Sequence, residues 1–428
     1  MTDQPAGAPR RRIAVIGSGV AGLTAAHVLQ KSADVTLFEA DDRLGGHAHT
    51  HDIQDATGRL VQIDTGFIVH NERTYPTLLR LFAELGVATQ DSDMSMSVRC
   101  AGCGLEYAGA RGLGGLFPDL RRLREPRYLR LLTEVVRFHR RARAVLADET
   151  ADGTQTLEQF LAAGRFSPYF VGHFMTPLVS AVWSCAPDVA GEYPARYLFT
   201  FLANHGMLSV TGSPSWRTVV GGSARYVELA AKTLSAVHTS APILSVARTD
   251  DGVTVTERSG DGHRFDAVVI ATHPDQALAL RADATTTERD VLGAFAYSVN
   301  PTALHTDTSV LPRAERAQAS WNYFLPSCDS DVQQVHVTYD MNRLQQLDSA
   351  TRYLVTLNED GSVDPNAVLD RMQYQHPIFT PASVAAQARL PELNDDRIAY
   401  AGAYHGWGFH EDGARSGVAA AASLGVTW

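Results

Sequence analysis

The sequence predicts an α/β fold in which one domain is assembled from separate segments of the chain. Three observations support this prediction. A strand, a glycine-rich turn, a helix and a second strand follow one another between residues 13 and 38. Strand patterns return after residue 242, and the chain ends in a Gly/Ala-rich segment of helical character. The regions in between combine helical and strand patterns, so we expect a second domain of the α+β type.

Hydrophobic periodicity and turn residues define the individual elements. An Asp-Gly pair at 251–252 predicts a hairpin between two strands. Residues 120–182 are mostly helical in period and form a predicted helical insert. The predicted helices are 21–30, 78–85, 120–146, 157–163 and 169–182, and the predicted strands are 13–16, 35–38, 94–98, 105–107, 243–248, 253–257, 267–271, 321–324, 335–340 and 353–358.

A glycine-rich turn joins the first strand to the first helix. Gly17 permits the tight turn, Gly19 lets a ligand approach the backbone, and Gly22 lets the helix pack against the strand. The first N–H groups of the helix, beside Ser18 and Ala21, then point at negative charge. This arrangement predicts a site for phosphate groups.

A carboxylate stands at the expected distance from that turn. Glu39 ends the second strand about twenty residues after the glycines, where an acidic side chain binds the hydroxyl groups of a ribose. A glutamate in this place disfavours a phosphorylated ribose. Strand, turn, helix, strand and acid together predict the binding of a dinucleotide.

The composition excludes other functions. The chain has 428 residues, 45% of them hydrophobic, and a net charge of -10, which is typical of a globular protein and argues against nucleic acid as the main partner. Its four cysteines are too few and too scattered for a disulfide framework, so we expect a cytoplasmic location. The first residues lack the pattern of a signal peptide, and no apolar run is long enough to span a membrane.

A second glycine motif indicates which dinucleotide is bound. The sequence Asp-Arg-Leu-Gly-Gly at 42–46 follows the acidic residue almost directly. The two motifs together resemble the FAD fingerprint of the flavin amine oxidase superfamily, which includes monoamine oxidase, protoporphyrinogen oxidase and phytoene desaturase. The resemblance implies FAD as the cofactor, with Ala40, Arg43, Gly45 and Gly46 near its phosphates and ribityl chain.

Two later segments are similar to the same superfamily. Residues 216–223, with the sequence WRTVVGGS, look like its second glycine pair, and Ile243 matches the position whose backbone meets adenine. A C-terminal segment matches the part that closes over the ribityl chain and the pyrimidine end of the flavin. The resemblance assigns to that segment Gly402, Ala403, Gly413, Ser416 and Val418.

This sequence departs from the superfamily pattern at one of these positions. Ala403 stands where the usual residue is aspartate. One hydrogen bond to the ribityl chain must therefore come from the backbone, from water, from Glu411 or from Asp412.

The resemblance implies a discontinuous Rossmann-like FAD-binding domain of the amine oxidase (GR2) type with an α+β substrate domain. We assign residues 10–90, 213–290 and 385–428 to the FAD-binding domain. Residues 91–212 and 291–384 form the predicted substrate domain with its helical insert.

Motifs in the middle and at the C-terminus resemble a narrower bacterial group. These are the predicted NAD/FAD-binding oxidoreductases associated with cyclopropane-fatty-acid-synthase-like methyltransferases, and a member is similar to the flavin desaturase of furan fatty acid biosynthesis. The resemblance covers nearly the whole chain. It implies an unsaturated or methylated fatty acyl substrate and a lipid methyltransferase as partner. The motifs are NHGML at 204–208, SWNY at 320–323, TY at 338–339, MN at 341–342, TLN at 356–358, HP at 376–377 and GWGFHEDG at 406–413.

The scarcity of lysine bears on the substrate. Amine oxidases of the superfamily generally place a lysine near flavin N5, but the chain has only Lys31, at the end of the first helix, and Lys232, on the helix after the second glycine pair. Neither fits that role, so dehydrogenation or oxidation of a lipid-like chain by hydride transfer is our first hypothesis. An amine or amino-acid oxidase is the second. A non-catalytic, flavin-bound partner of a lipid methyltransferase is the third.

Candidate catalytic residues are sought among histidines, because imidazole titrates near neutral pH. His205 is the first candidate, followed by His405 and His410, and Tyr404 lies beside the flavin-closing segment. A histidine between Asn204 and a glycine is equally compatible with a turn residue bonded to the backbone. The predicted substrate pocket comprises Asn204, Trp216, Trp321, Trp407 and Phe409.

Two weaker signals remain. Cys100 and Cys103 form a lone CxxC pair at a hairpin turn, and neither Cys185 nor Cys328 supplies a second pair at the spacing of a zinc motif, so we expect two spare thiols and no metal. Arginines interleaved with apolar residues over 121–143 form a basic amphipathic stretch. We interpret it as a solvated helix face, with peripheral contact to an anionic membrane as the alternative.

Overall fold

The computed structural model describes residues 10–148, 150, 153–209, 212–328, 334–359 and 361–428. The strands are β1 (Arg11–Ile16), β2 (Ala33–Phe38), β3 (Thr50–Gln54), β4 (Leu60–Asp64), β5 (Val69–Asn71), β6 (Thr89–Asp91), β7 (Met96–Cys100), β8 (Glu106–Ala108), β9 (Trp216–Val219), β10 (Ala236–His238), β11 (Ile243–Thr249), β12 (Gly252–Glu257), β13 (Gly262–Phe265), β14 (Ala267–Ile270), β15 (Ala296–His305), β16 (Trp321–Leu325), β17 (Val337–Asp340), β18 (Leu354–Leu357), β19 (Val368–Ile378) and β20 (Ile398–Tyr400). The helices are α1 (Val20–Gln30), α2 (Pro76–Leu85), α3 (Gly112–Leu116), α4 (Pro126–Ala147), α5 (Leu157–Ala163), α6 (Pro168–Phe170), α7 (Thr176–Trp183), α8 (Ala195–Asn204), α9 (Ala224–Ala231), α10 (Pro274–Leu280), α11 (Thr286–Leu292), α12 (Met341–Leu344), α13 (Pro381–Gln387) and α14 (His410–Ser423).

A five-stranded parallel sheet brings together distant parts of the sequence, in the order β10-β2-β1-β14-β20. Ile13 and Val15 face one hydrophobic core, whereas Ala14 and Ile16 face a second core on the other side of the sheet. All four are buried. A parallel strand covered on both faces is apolar throughout, and this explains the uninterrupted apolar run in β1.

A second, seven-stranded sheet has the order β19-β15-β18-β17-β16-β7-β8. Its neighbouring strands are antiparallel except β7 and β16, which run parallel and pair Trp321 with Met96 and Leu325 with Cys100. This sheet and the helices α4 to α8 contribute to the largest hydrophobic core. The predicted α/β class, with a parallel sheet and a separate α+β region, is confirmed.

Several sequence expectations about elements need correction. The predicted helix at 120–146 begins only at Pro126, because residues 120–124 form a 3-10 turn and proline favours the first helical position. The predicted helix at 169–182 is interrupted by a π-helical turn at Val171–Met175. Many of the shorter strands were not predicted, and neither were the two longest, β15 and β19. Pro301 lies within β15, and β19 is a largely polar edge strand, so neither shows a clear apolar alternation.

The arginine-rich helix α4 packs into the largest hydrophobic core. Tyr128, Leu131 and Phe138 are buried in the largest core, so much of its apolar face is covered. The buried carboxylate of Glu134 forms ion pairs with Arg130 and Arg137. Among the described helices, none is both long and apolar enough to cross a bilayer.

The C-terminal helix α14 packs directly on α1 through glycines. A Cβ atom at Gly417 would lie 2.3 Å from the carbonyl oxygen of Ala21, and one at Gly413 would lie 2.6 Å from Cγ1 of Val20. Only glycine permits this approach of the two helices. The first turn of α14 is thereby placed beside the beginning of α1.

We predict that Gly417→Ala destabilises the fold by about 1–3 kcal/mol, since the added methyl group overpacks the contact between α14 and α1. Urea denaturation monitored by circular dichroism measures this change. Ala419→Ser, at an exposed position of the same helix, is the matched control and should leave the midpoint nearly unchanged. Equal midpoints for the two variants would contradict the packing argument.

Candidate active site

The turn between β1 and α1 is tied to the end of β2. The N–H of Gly17 donates to the carbonyl of Phe38 at 2.8 Å, and Gly17 has a φ of +98° that favours glycine. The N–H of Ser18 donates to the carboxylate of Glu39 at 2.8 Å, and the Ser18 hydroxyl accepts the N–H of Gly45 at 3.0 Å. Ser18 therefore joins the first glycine turn, the acidic residue and the second glycine motif.

The two glycine motifs face each other. A Cβ atom at Gly46 would lie 3.4 Å from the Cα of Gly19, and one at Gly19 would meet no atom within 4 Å. Gly22 is needed for packing, because its Cβ would lie 1.9 Å from the carbonyl oxygen of Gly17. No side chain caps the first turn of α1, and that turn, which includes Ala21, carries no acidic residue. Its N–H groups are thus available to an anion beside Gly19.

The chain segment before β11 lies beside Glu39. The N–H of Ala241 donates to the carbonyl of Glu39 at 2.9 Å, and that of Ser240 donates to Asp41 at 2.8 Å. Ile243 follows Ala241 by two residues and begins β11. Ala40, between Glu39 and Asp41, is exposed. The structure therefore brings Ile243 to the same end of the parallel sheet as Glu39.

The second glycine pair is fixed by a buried carboxylate. Gly221 and Gly222, both with positive φ, connect β9 to α9, as the sequence predicts. Asp64 at the end of β4 accepts the N–H of Ser223 at 2.8 Å and the Thr50 hydroxyl at 2.6 Å. Burial raises the pKa of Asp64 to about 6. Sequence reasoning did not identify this carboxylate, whose partners are distant in the chain.

The C-terminal segment meets the first glycine turn through α14. The Ser416 hydroxyl accepts the N–H of Gly402 at 2.9 Å and donates to the carbonyl of Gly413 at 2.7 Å. Ala403 begins a 3-10 turn, and Val418 is partly buried against the core that contains α1. These bonds hold the segment from 402 to 418 against the start of α1.

Both acidic side chains proposed to replace the missing aspartate already have hydrogen-bond partners. The Glu411 carboxylate accepts the N–H groups of Thr77 and Leu78, each at 3.0 Å, and so caps α2. Asp412 accepts the N–H of Phe409 at 3.1 Å and pairs with Arg415 at 3.1 Å. Burial raises the pKa of Asp412 to about 6. The backbone and water remain as donors or acceptors near Ala403.

A cluster of uncharged histidines lies next to the second glycine motif. His47 follows Gly46, and its ring centre is 5.0 Å from that of Tyr374 and 5.2 Å from that of His376. Burial lowers the pKa of His376 to about 4 and lowers that of His47 as well. Nε2 of His47 is buried and has no hydrogen-bond partner among the described residues. Arg43 donates to the carbonyl of Gly46 at 2.8 Å.

This cluster was missed because β19 was missed. Tyr374 and His376 lie on that edge strand, which the sequence pattern did not reveal. The HP motif at 376–377 was quoted only as a family resemblance. The run of alternating histidines at 47, 49 and 51 was the available signal.

A cavity of about 570 Å³ opens at the first turn of α14. Phe201, Trp407 and Phe409 give it an aromatic wall, and charged and polar side chains complete it. Its lining residues are Arg73, Thr74, Tyr75, Pro76, Thr77, Phe201, Ala203, Asn204, His205, Trp407, Phe409, Glu411, Asp412 and Arg415.

His205 lies in this cavity but both ring nitrogens have partners. Nδ1 is 2.9 Å from the carbonyl oxygen of Phe201, and Nε2 is 3.3 Å from the Thr74 hydroxyl. Its ring stacks on Phe201 with a centroid distance of 4.0 Å. Burial lowers the pKa of His205. Because both ring nitrogens already have partners, this geometry suits a positioning residue better than a base.

The other candidate bases are partly enclosed by the fold. Burial lowers the pKa of His405 to about 4 and that of His410 to about 3. The His410 ring stacks on Phe67 with a centroid distance of 3.6 Å, and its Nε2 is 3.2 Å from the Tyr226 hydroxyl. Tyr404 belongs to the core behind the parallel sheet, and its hydroxyl has no partner among the described residues. Neither Tyr404 nor His405 lines the cavity.

Three of the five predicted pocket residues line the cavity, namely Asn204, Trp407 and Phe409. Trp216 lies behind His205, with 6.1 Å between ring centres. Trp321 packs on Tyr339 in the seven-stranded sheet and does not reach this cavity. Trp321 was assigned to the pocket because it belongs to the SWNY motif, but its side chain packs against the largest hydrophobic core.

Both lysines lie outside the site, as the sequence suggested. The Lys31 side chain is 45% exposed and pairs with Glu84 at 2.7 Å. Lys232 is exposed at the end of α9. Since these are the only lysines in the chain, no lysine lines the cavity.

The residues present fit FAD. The facing glycines leave room for a ligand at Gly19, the uncapped end of α1 suits a diphosphate, and the buried Nε2 of His47 lacks a partner. Gly17 to Gly22, Glu39, Gly45 and Gly46 would hold the nucleotide part. Fold and site together define a flavin-dependent oxidoreductase.

The chain belongs to the family of flavin containing amine oxidoreductases. The sequence profile of that family matches residues 20–331. The cofactor of this enzyme is therefore FAD, as the glycine motifs predicted. The prediction of an FAD-dependent oxidoreductase is confirmed at the level of the family.

Curated relatives match over short stretches only. Tryptophan 2-monooxygenase of Agrobacterium vitis is 41% identical over 61 residues, which are 14% of this chain and 8% of that protein. A flavin-dependent L-tryptophan oxidase of Lentzea aerocolonigenes is 52% identical over 42 residues, or 10% of this chain and 9% of that protein. The match thus spans less than a tenth of the length of either relative.

Solved structures match over the whole chain. Cyclohexylamine oxidase from Brevibacterium oxydans superimposes with a TM-score of 0.68 at 18% identity, covering 97% of this chain and 99% of that one. A fatty acid isomerase from P. acnes, described as CLA-producing, superimposes with a TM-score of 0.63 at 16% identity, covering 95% and 97%. At these identities the likeness establishes the fold.

One sequence expectation about cysteines is wrong. The sequence spacing predicted two spare thiols at 100 and 103, yet the Sγ of Cys328 lies 3.7 Å from that of Cys100. Cys185 is buried elsewhere in the core. The two thiols of the hairpin turn are therefore not an isolated pair.

We predict that Glu39→Ala weakens FAD binding on the order of tenfold to a hundredfold, because hydrogen bonds to a charged group contribute about 1.5–3 kcal/mol. Ser18→Ala should weaken it in the same direction by detaching Gly45. Titration of apoprotein with FAD, followed by flavin fluorescence, measures both. Glu228→Ala on the outer side of α9, where the carboxylate is half exposed, is the control. Unchanged affinity in Glu39→Ala would contradict this assignment.

Proposed function

We propose that this flavoenzyme oxidises an apolar carbon chain that carries an anionic head group, best met by an unsaturated or methylated fatty acid. The observation that carries the proposal is the lysine-free, aromatic-walled cavity in which one guanidinium, that of Arg73, has no ion-pair partner in the part of the chain that the structure describes. We also propose the division into a FAD-binding domain and a substrate domain at the boundaries given above.

The charges around the cavity favour an anion. The carboxylates of Glu411 and Asp412 are already bonded, and Arg415 is paired with Asp412. Among the described residues, Arg73 forms no ion pair, and its charge contributes to lowering the pKa of His205. A substrate carboxylate would satisfy this guanidinium, which suits planar bidentate pairing.

The aromatic wall favours an apolar body. Phe201 stacks on Phe409 with a centroid distance of 4.8 Å, and Trp407 lies 6.1 Å from Phe201. Such rings bury hydrocarbon and exclude water from it. Asp412 lines the cavity, and the next residue, Gly413, contacts Val20 at the beginning of α1. The cavity and the predicted diphosphate site therefore lie on either side of one helical turn.

The chemistry requires little acid–base assistance from the protein. Bound FAD supplies the hydride acceptor. Arg73 would bind the head group, the aromatic residues would hold the chain and exclude water, and His205 would keep Thr74 and Phe201 in place. Positioning of this kind contributes most of what hydride removal from an activated carbon needs. The narrower bacterial resemblance described above supports a fatty acyl substrate.

An aromatic L-amino acid is the second candidate substrate. One observation favours it, because the buried Asp412 carboxylate lies in the same cavity as the Arg73 guanidinium. If a substrate ammonium replaced Arg415 at Asp412, the two groups would bind the ammonium and the carboxylate of one amino acid. The cavity is lined in part by polar and charged side chains, which is also compatible with a compact polar substrate.

We predict that the flavin of the purified enzyme is bleached under anaerobic conditions by an unsaturated or methyl-branched fatty acid. Arg73→Ala should raise the KM on the order of tenfold or more, since a charged hydrogen-bonded pair contributes about 1.5–3 kcal/mol. Arg73→Lys should recover part of the loss. Arg225→Ala, a half-exposed arginine on α9, removes the same charge elsewhere and should change nothing.

Testing fatty acids, L-tryptophan and cyclohexylamine side by side separates the alternative substrates. Bleaching by L-tryptophan but by no fatty acid would replace the first candidate with the second. Bleaching by cyclohexylamine alone would contradict an anionic substrate. A yellow protein that no compound of the panel reduces would favour a flavin-bound partner of another enzyme.

We further propose that an exposed leucine patch docks on anionic membrane. Leu113, Leu120 and Leu123 are 77%, 73% and 49% exposed, and the side chain of Arg121, which forms an ion pair with Asp119 at 2.8 Å, is 91% exposed. Apolar side chains beside arginine suit insertion among anionic headgroups. A fatty acyl substrate would reach the enzyme from such a surface.

We expect the enzyme to sediment with vesicles that contain phosphatidylglycerol and not with phosphatidylcholine vesicles. The double variant Leu113→Ser, Leu120→Ser should lose most of this binding, because it removes the apolar anchors. Leu244→Ser, at a leucine of β11 that is 53% exposed, is the control. Equal sedimentation of the double variant and the control would rule out the patch.

A further inference from the structure

Four potential metal ligands come together at one end of the seven-stranded sheet. Cys100 ends β7, Cys103 follows in the turn to β8, His173 lies in the π-helical turn, and Cys328 comes three residues after β16. Their ligand atoms all lie within 4.8 Å of one another. From this geometry we propose a structural zinc site of the Cys3His type.

The distances match a tetrahedral ion. Ligands at about 2.3 Å for sulfur and about 2.05 Å for nitrogen place two sulfurs about 3.8 Å apart, and a sulfur and a nitrogen about 3.6 Å apart. The Sγ atoms of Cys100 and Cys328 are 3.7 Å apart, and Sγ of Cys103 is 3.6 Å from Nε2 of His173. Four protein ligands without an open position are the mark of a structural site.

The histidine is oriented as a ligand. Nδ1 of His173 is 3.1 Å from the carbonyl oxygen of Tyr169, a partner that can only accept. Nδ1 therefore carries the proton, and Nε2 presents its lone pair to the cysteines. The Tyr169 ring stacks on His173 at 4.0 Å and fixes its plane. His173 is buried, so water does not compete for the lone pair.

The backbone is shaped to bring the ligands together. Parallel pairing of β7 and β16 sets Cys100 opposite Leu325, so both strands end at the same edge. A Cβ atom at Gly102 would lie 2.8 Å from the backbone nitrogen of Cys328, so only glycine allows the turn and the segment after β16 to meet. The Arg127 guanidinium, 5.0 Å from the centre of the Tyr169 ring, provides positive charge near the thiolates.

The site would join two parts of the substrate region. Cys100, Cys103 and Cys328 belong to the sheet, whereas His173 belongs to the helical insert between α6 and α7. An ion bound by all four ligands would lock the insert onto the sheet edge. This role is independent of the substrate and of FAD binding.

We expect the full-length holoenzyme to retain about one zinc per chain through gel filtration in a weak chelator, as measured by plasma mass spectrometry. Cys103→Ser and Cys328→Ser should lose the metal, while their flavin spectrum reports that the fold persists. Cys185→Ala, at the one cysteine outside the cluster, should keep it. A strong chelator should lower the Tm of the wild-type protein and of Cys185→Ala only.

A second measurement avoids dependence on the variants. Protein produced in cobalt-containing medium should show the red-visible ligand-field bands of tetrahedral Co²⁺ with thiolate ligands, at wavelengths where oxidised flavin does not absorb. Two results would overturn the proposal. One is flavin-loaded wild-type protein that contains neither zinc nor cobalt and whose Tm a chelator does not change. The other is a disulfide among Cys100, Cys103 and Cys328, seen as the loss of two hydrogen masses in the intact protein.

Discussion

The close contact between α1 and α14 is the constraint on which the rest of the site depends. Gly413 and Gly417 let the last helix approach the first so that a single methyl group would not fit at either position. The beginning of α1 faces the glycine motifs, and the beginning of α14 faces the cavity. One contact fixes both helix ends. Residues near the two ends of the chain, such as Val20 and Gly413, therefore belong to one site.

The second constraint is the parallel pairing of β7 with β16 in an otherwise antiparallel sheet. Parallel strands end at the same edge, so the turn after β7 and the segment after β16 meet there. This pairing explains why Cys328 joins the CxxC turn. The same pairing positions the helical insert, since Tyr107 of β8 donates to the carbonyl of His173 at 2.8 Å.

Local motifs were predicted well, and contacts between distant segments were not. The turn at Gly17 to Gly22 and the carboxylate of Glu39 lie close together in the sequence and were predicted from it. The structure places them together as expected. The hairpin of β11 and β12 likewise follows from its Asp-Gly turn. By contrast, the partners of Asp64, the position of His47 against Tyr374 and the meeting of Cys328 with Cys100 depend on strand order. No periodicity within one segment records the order of strands in a sheet.

The lowered pKa values of three histidines bear on which substrate the site would bind. Burial lowers the pKa of His47, His376 and His410, so these rings are neutral at physiological pH. Arg43 is therefore the main positive charge in the region between the second glycine motif and β19. The uncapped end of α1 and the Arg73 guanidinium are two further sources of positive charge for a ligand. In the proposed function, the end of α1 would bind a diphosphate and Arg73 a carboxylate, and we propose that the space lined by uncharged rings suits hydrocarbon better than an ammonium ion.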